Sequence, residues 1–215
     1  SSPYSYETEA GPYGVFEPSN MIRAEDGYIY AIIRIDEYKS EQQRVCLMRT
    51  DDLADPTSWR AWDGDGFTLT LPRPYVTPPD NPQSQYCEPL AQDQIGVMNQ
   101  SLTYNTDLEQ YVLVGISADT IKGREVWGIY YAFSADLITW SRRQLLIEVE
   151  LPWTYQQGDA DPILYPSLID PDSESRNFEI TDQDAYIYYT QFNYNRGQMG
   201  LDRDLMRIPV RFETQ

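Results

Sequence analysis

Glu17 stands alone in the stretch GVFEPSNMIRAEDGYIYAIIRI (14–35), a carboxylate set just before a strand that is otherwise built to be buried. The chain contains no histidine, which removes Ser-His-Asp, Cys-His and His-metal chemistry together. Any catalysis therefore falls to carboxylates, Tyr, Lys or Arg, and general acid–base work by carboxylates is the first chemistry to consider. Glu88, in QYCEP, is a second acid in a loop that precedes an apolar stretch. Asp159 and Asp161, in QQGDADPILYPS, present oxygens that could ligate a structural calcium ion, although loop aspartates also cap turns. Arg23 follows Glu17 by six residues, an even spacing that puts both on one face of a continuous strand. An arginine there would hold Glu17 ionised, against an acid role, or bind a substrate carboxylate.

The elements that must position these residues are strands. DGYIYAIIRI, QRVCLMRT, EQYVLVGIS, VWGIYYAFS, DAYIYYTQFN and DLMRIPVRF are short, rich in Ile, Val and Tyr, and bounded by Gly, Asp, Asn or Pro. No stretch keeps a helical period over three turns. The chain reads as all-β.

Three segments repeat one order of parts. The first runs PSNMI, DGYIYAIIRI, RVCLMRTDDLADPTSW; the second NQSLTY, EQYVLVGIS, WGIYYAFSADLITW; the third YPSLID, DAYIYYTQFN, GQMGLDRDLMRIPVRF. Ser19, Ser101 and Ser167 open the units, and a later Asp-Leu pair closes each third strand. Each unit reads as a four-stranded antiparallel sheet, the blade of a β-propeller. The expected blades span 13–62, 95–148 and 160–213, with a long Pro-rich connection over 63–94. DPDSESRNFEITDQD in the third unit reads as an extended hairpin loop. Asp52, Asp136 and Asp204 are expected to fix the Asp-Leu turns through hydrogen bonds to backbone N–H groups.

FSADLITWSRR (133–143) and its weaker copy RTDDLADPTSWRAW resemble the blade turn of five-bladed glycoside hydrolases, the arabinanase and β-xylosidase group with its invertase-like relatives. EPSNMIRAEDGYIYAI is similar to that family's inner strand, in which a catalytic acid precedes an apolar run. The resemblance implies inner strands that bring carboxylates to one mouth of a central tunnel, where one protonates the leaving group and another activates water. It gives Glu17 the role of general acid; the equivalent positions of the other units, Asn99-Gln100-Ser101 and Tyr165-Pro166-Ser167, are not acidic. Glu88 is the second candidate for the same mouth. Trp153, Tyr155, Tyr165 and Trp127 offer flat apolar faces that match the C–H side of a pyranose, or they pack between blades.

Three blades do not close a ring. The chain is expected to be the C-terminal part of a longer, five-bladed polypeptide, or to assemble with chains that supply the missing blades; a six-bladed homodimer is the less favoured arrangement. The function expected is hydrolysis of a glycosidic bond in an extracellular polysaccharide or oligosaccharide, with Glu17 as proton donor and the base supplied by the missing blades, and with a non-catalytic carbohydrate-binding or structural propeller as the alternative. Fold alone licenses neither.

Composition sets limits. Thirty-four acidic residues against sixteen basic ones give a net charge of −18, with only Lys39 and Lys122 as lysines. Such a surface repels phosphate backbones and anionic lipid, so nucleic acid and membranes are excluded as expected partners. No apolar run approaches the length of a membrane span, and the N-terminal segment lacks the basic and apolar regions of a signal peptide. The resemblance implies an extracellular or periplasmic location. Cys46 and Cys87 form one disulfide or remain two thiols.

Overall fold

The computed structural model describes residues 14–37, 42–70, 86–156, 160–195 and 198–213. It is all-β apart from one short helical turn, α1 (Gln92–Ile95), and its strands form three sheets. The first sheet comprises β1 (Gly14–Phe16), β2 (Ile22–Arg23), β3 (Ile29–Asp36), β4 (Gln43–Thr50), β5 (Arg60–Trp62) and β6 (Phe67–Leu69). The second holds β7 (Ser101–Asn105), β8 (Gln110–Ile121), β9 (Arg124–Ser134), β10 (Gln144–Glu148) and β12 (Ile180–Thr181). The third holds β11 (Ile163–Ile169), β13 (Asp184–Asn195) and β14 (Gln198–Arg211).

The sheets stack face to face because their strands are apolar on both sides. Ile32 and Tyr30 of β3 join Leu113 of β8 and Tyr130 of β9 in one buried cluster between the first and second sheets. Val112, Val114 and Ile129 turn the other way and meet Leu168, Ala185 and Ile187 of the third sheet in a second cluster. Strands buried on both faces read as nearly continuous Val/Ile/Leu runs, which is the pattern of β3 and β8. Ile33, Ile35 and Cys46 on the outer face of the first sheet are covered in part by Cys87, which is disulfide-bonded to Cys46 with 6.0 Å between their Cα atoms.

Polar side chains fix how neighbouring sheets meet. Asn20 donates from Nδ2 to the Leu102 carbonyl at 2.6 Å, and its Oδ1 accepts from the Leu102 N–H at 2.8 Å. One amide side chain thus completes the backbone bonding of a fully buried residue in the next sheet. Ser101 repeats the device one sheet further on, its Oγ accepting from the Leu168 N–H at 3.0 Å. The initial strands of the three units therefore lie side by side.

The units are less alike than their sequences suggest. The second has the expected strands, and its Asp-Leu turn is tied as expected: Asp136 Oδ1 accepts from the N–H groups of Ile138 (2.9 Å) and Thr139 (2.6 Å). Asp52 does the same for Ala54 at 2.8 Å. Leu137 and Trp140 from that turn are buried in the cluster between the first two sheets, which explains why this turn is apolar.

The third unit departs from the expectation. Asp204 and Leu205 lie inside β14, paired with Gln191 and Thr190, so among the described residues no turn and no fourth strand follow; Asp204 instead accepts from Asn193 Nδ2 at 2.9 Å. A long two-stranded hairpin replaces the turn because the β13–β14 register runs almost unbroken along both strands. The first sheet exceeds the expected four strands, gaining β1 and β6, the latter inside the stretch expected to be a Pro-rich connection. The segment expected to be a free hairpin loop contains β12, which pairs in parallel with β7, Ile180 opposite Tyr104.

Replacing Asn20 with Ala strips both partners from the buried Leu102 backbone. We expect a loss of about 2 kcal/mol, a fall of roughly 4–8 °C in Tm, measured by thermal unfolding.

Candidate functional site

A cavity of about 620 Å³ opens where the three units meet. It is lined from the first unit by Glu17, Pro18 and Arg34, from the second by Gln100, Ile116 and Trp127, and from the third by Tyr165, Pro166 and Ser167, with Trp153 at its side. The first and third units contribute equivalent residues, because Glu17-Pro18-Ser19 and Tyr165-Pro166-Ser167 occupy the same place in the repeat.

The backbone at these two places is unusual in the same way. Glu17 has φ 41° and Tyr165 φ 58°, both in the left-handed region and both directly before proline. Residues other than glycine rarely adopt it, and the position before proline ordinarily favours extended backbone. Such a conformation costs on the order of 1–3 kcal/mol and clusters at functional sites. At Tyr165 it coincides with a register shift between Leu164 and Ser167, a bulge that re-aims side chains. The consequence is that Glu17 and Tyr165 both face the cavity.

Gln100 represents the second unit at this meeting point. Its Oε1 accepts from the Ile116 N–H at 3.0 Å, and it approaches β8 where Gly115 has no side chain. Any Cβ there would collide with Gln100 Oε1 and crowd Met98.

Glu17 is half-exposed and forms an ion pair with Arg34, Oε2 to Nη1 at 2.9 Å. Arg34 is opposite Phe16 in the β1–β3 register, which places its guanidinium beside the residue that follows. Its Nε lies 3.1 Å from Oδ1 of Asp36, which is buried. Burial pushes the Asp36 carboxyl above its ordinary value, and the Arg34 guanidinium opposes that rise. The backbone carbonyl of Glu17 accepts from Nδ2 of the fully buried Asn99, so the second unit also holds the loop that carries Glu17.

Two aromatic rings stand ready at the cavity. Trp153 is 62% exposed and meets Trp127 edge-on, with centroids 6.1 Å apart at 89°. Tyr165 is 56% exposed and leans on Phe192 at 6.2 Å.

The other expected site residues lie elsewhere. Arg23 is not beside Glu17: its Nη1 donates to the Gly27 carbonyl at 3.0 Å and its N–H to Glu179 at 2.7 Å. The even-spacing argument fails because residues 17–21 are not a strand; β1 and β2 pair with different parts of β3. Arg34 takes the position expected of Arg23. Glu88 is exposed near Gly64, away from the cavity. Tyr155 packs on Tyr194 with centroids 3.8 Å apart and does not line the cavity. Asp161 accepts from the Tyr194 N–H at 3.5 Å, and Asp159 lies outside the described residues. Among the described residues no group of three or more Asp, Glu, Cys or His side chains is gathered as for a metal ion. Arg34 escaped sequence reading because it sits mid-strand in an apolar run; the repeated X-Pro-Ser is the signal that would have paired Glu17 with Tyr165.

No family model and no curated protein matches the sequence. Among solved structures, the YxiA protein of glycoside hydrolase family 43 from Bacillus licheniformis is similar at a TM-score of 0.33 and 12% identity, over 91% of this chain and 56% of that one. This chain thus spans about half the length of that protein.

Two measurements probe the site's physics. Glu17→Gly relieves the left-handed backbone, and Glu17→Gln controls for the lost ion pair; the Gly variant should be the more stable by about 1 kcal/mol in urea unfolding. Because the folded Asp36 keeps its proton where the unfolded chain has released it, its contribution is present below the ordinary value of 3.8 and is lost as pH rises through the raised folded value. The stability of Asp36→Asn relative to the natural protein should therefore increase as pH rises above the ordinary value of 3.8, measured by urea unfolding at each pH.

Proposed function

We propose that this chain belongs to a glycoside hydrolase-like β-propeller and binds a polysaccharide or oligosaccharide chain in the cavity between its three units. The observation that carries this reading is the convergence of Glu17 and Tyr165, both held in left-handed backbone, with the exposed ring of Trp153. A flat apolar ring takes the C–H face of a sugar, while Glu17, Arg34 and Gln100 supply polar partners for its hydroxyls. In this reading Glu17 is the proton donor to the departing sugar oxygen, and the site works outside the cytoplasm on a polymeric glycan.

Hydrolysis needs a second carboxylate, held roughly 5–10 Å from the first. Among the described residues Glu17 is the only carboxylate that lines the cavity. That observation favours a second reading, in which the same cavity binds carbohydrate without cleaving it, and Glu17 with Arg34 forms a polar clamp rather than an acid.

The readings separate experimentally. Calorimetric titration with neutral pentose and hexose oligosaccharides should show binding that Trp153→Ala weakens at least tenfold, on the scale of one lost stacking contact. No binding of any of these glycans would remove both readings. Turnover of a bound glycan by the complete assembly that disappears in Glu17→Gln, with binding kept, establishes the hydrolase, its second carboxylate supplied by blades beyond this chain; binding without turnover in that assembly establishes the clamp.

A further inference from the structure

The three units do not bring the same residues to the cavity. Glu17-Pro18-Ser19 and Tyr165-Pro166-Ser167 each turn the residue before proline inward, whereas the second unit reads Asn99-Gln100-Ser101. Asn99 is fully buried, and its Nδ2 is taken by the Glu17 carbonyl. Gln100 stands where the other units have proline, and it lines the cavity as Pro18 and Pro166 do. One unit in three thus presents an amide at a position that elsewhere carries no hydrogen-bonding side chain.

The surroundings fix which way that amide points. β7 begins at Ser101, opposite Val114, so the Ile116 N–H of β8 lies past the end of the ladder. Gln100 Oε1 accepts from it at 3.0 Å and from the Asn99 N–H at 3.4 Å. Two backbone donors require an acceptor, so the oxygen is the end turned to the backbone and the nitrogen the end turned away. Gly115 keeps the approach open, because any Cβ there would meet Oε1 and Met98. Nε2 has no partner among the described residues. The buried atoms left without one include Asn99 Oδ1 and Thr103 Oγ1 but not Gln100 Nε2, which therefore meets open space, and the open space beside Gln100 is the cavity. Held this way, the amide offers the cavity donors only.

Charge narrows what those donors meet. Arg34 is shared between Glu17 and Asp36, one guanidinium against two carboxyl groups, so it has no surplus positive charge for an acidic ligand. The whole chain, at −18, repels one. An uncharged donor suits a hydroxyl or ring oxygen of a neutral sugar, whose apolar face the exposed ring of Trp153 can take.

We propose that Gln100 determines specificity at this cavity: its Nε2, aimed by the Ile116 N–H and by the missing side chain at Gly115, donates to an oxygen of a neutral sugar, and neutral glycans are taken in preference to those carrying uronate groups. This role rests on the carbohydrate reading and adds to it the residue that recognises the sugar and the charge class of the glycan.

Gln100→Glu separates recognition from a structural role. Glu has the same shape and keeps an oxygen for the Ile116 and Asn99 N–H groups, but its other end becomes an acceptor. A purely structural Gln100 would be replaced without effect on binding. Calorimetric titration with neutral pentose and hexose oligosaccharides should show Gln100→Glu binding at least tenfold more weakly than the natural chain, roughly the scale of one hydrogen bond turned into two opposed acceptors, with an unchanged melting temperature. In the natural chain the side-chain amide protons of Gln100 should shift in the NMR spectrum as the neutral glycan is added, and uronate-bearing oligosaccharides of the same length should bind at least tenfold more weakly. Equal affinity in Gln100→Glu, or amide protons that do not move, would overturn the role of Gln100 and leave the carbohydrate reading standing. Equal binding of the uronate-bearing glycans would overturn the charge class. No binding of any glycan would overturn the carbohydrate reading and this role with it.

Discussion

Everything in this molecule depends on the burial of the second sheet between the other two. β8 is apolar at successive positions, so Leu113 faces one cluster while Val112 and Val114 face the other. A strand of that composition is unstable with water on either side, and it needs a sheet against each face. Stacking follows, and with it the side-by-side order of the initial strands. Asn20 and Ser101 then set the register between neighbours by satisfying backbone groups of buried residues across the gap. Apolar area supplies the drive, and these few hydrogen bonds supply the alignment.

The cavity is a by-product of that alignment. Three strand entries laid together leave a space that none of them fills, and the first and third units use the same departure from ordinary backbone to turn a side chain into it. The following prolines add to the strain at Glu17 and Tyr165, and at Glu17 the neighbouring unit grips the loop, Asn99 holding the Glu17 carbonyl. A conformation that costs free energy at two equivalent positions, both facing one cavity, points to a use for what those positions carry. Arg34 adds a constraint on that use: a guanidinium placed between a half-exposed and a buried carboxylate gives the cavity a nearly balanced charge inside a strongly acidic chain.

The stack also explains its own asymmetry. The outer face of the first sheet is covered by the segment that the Cys46–Cys87 disulfide ties down, and the turn bearing Leu137 and Trp140 seals the gap between the first two sheets. The outer face of the third sheet has no such cover among the described residues, and Leu201 and Leu205 stand exposed.

Some of this was written in the order of residues alone. Strand identity followed from β-branched and aromatic runs bounded by turn formers, and the Asp52 and Asp136 turns followed from the short reach of an aspartate to the N–H groups just ahead of it; both are local physics. Glu17 was legible as an isolated acid, and Trp153 and Tyr165 as aromatics near strand entries. Tertiary structure decided the rest. Whether Asp204 closed a turn depended on how well β13 and β14 paired, and the hairpin simply ran through it. Arg34 rather than Arg23 came to Glu17 because two short strands pair with separate parts of β3, a register that no spacing along one strand can report. Cys46 met Cys87, and β12 joined β7, across distances in sequence that composition does not encode. Alternation and turn chemistry act within a few residues, whereas a site assembled from three units is set by which buried faces must meet.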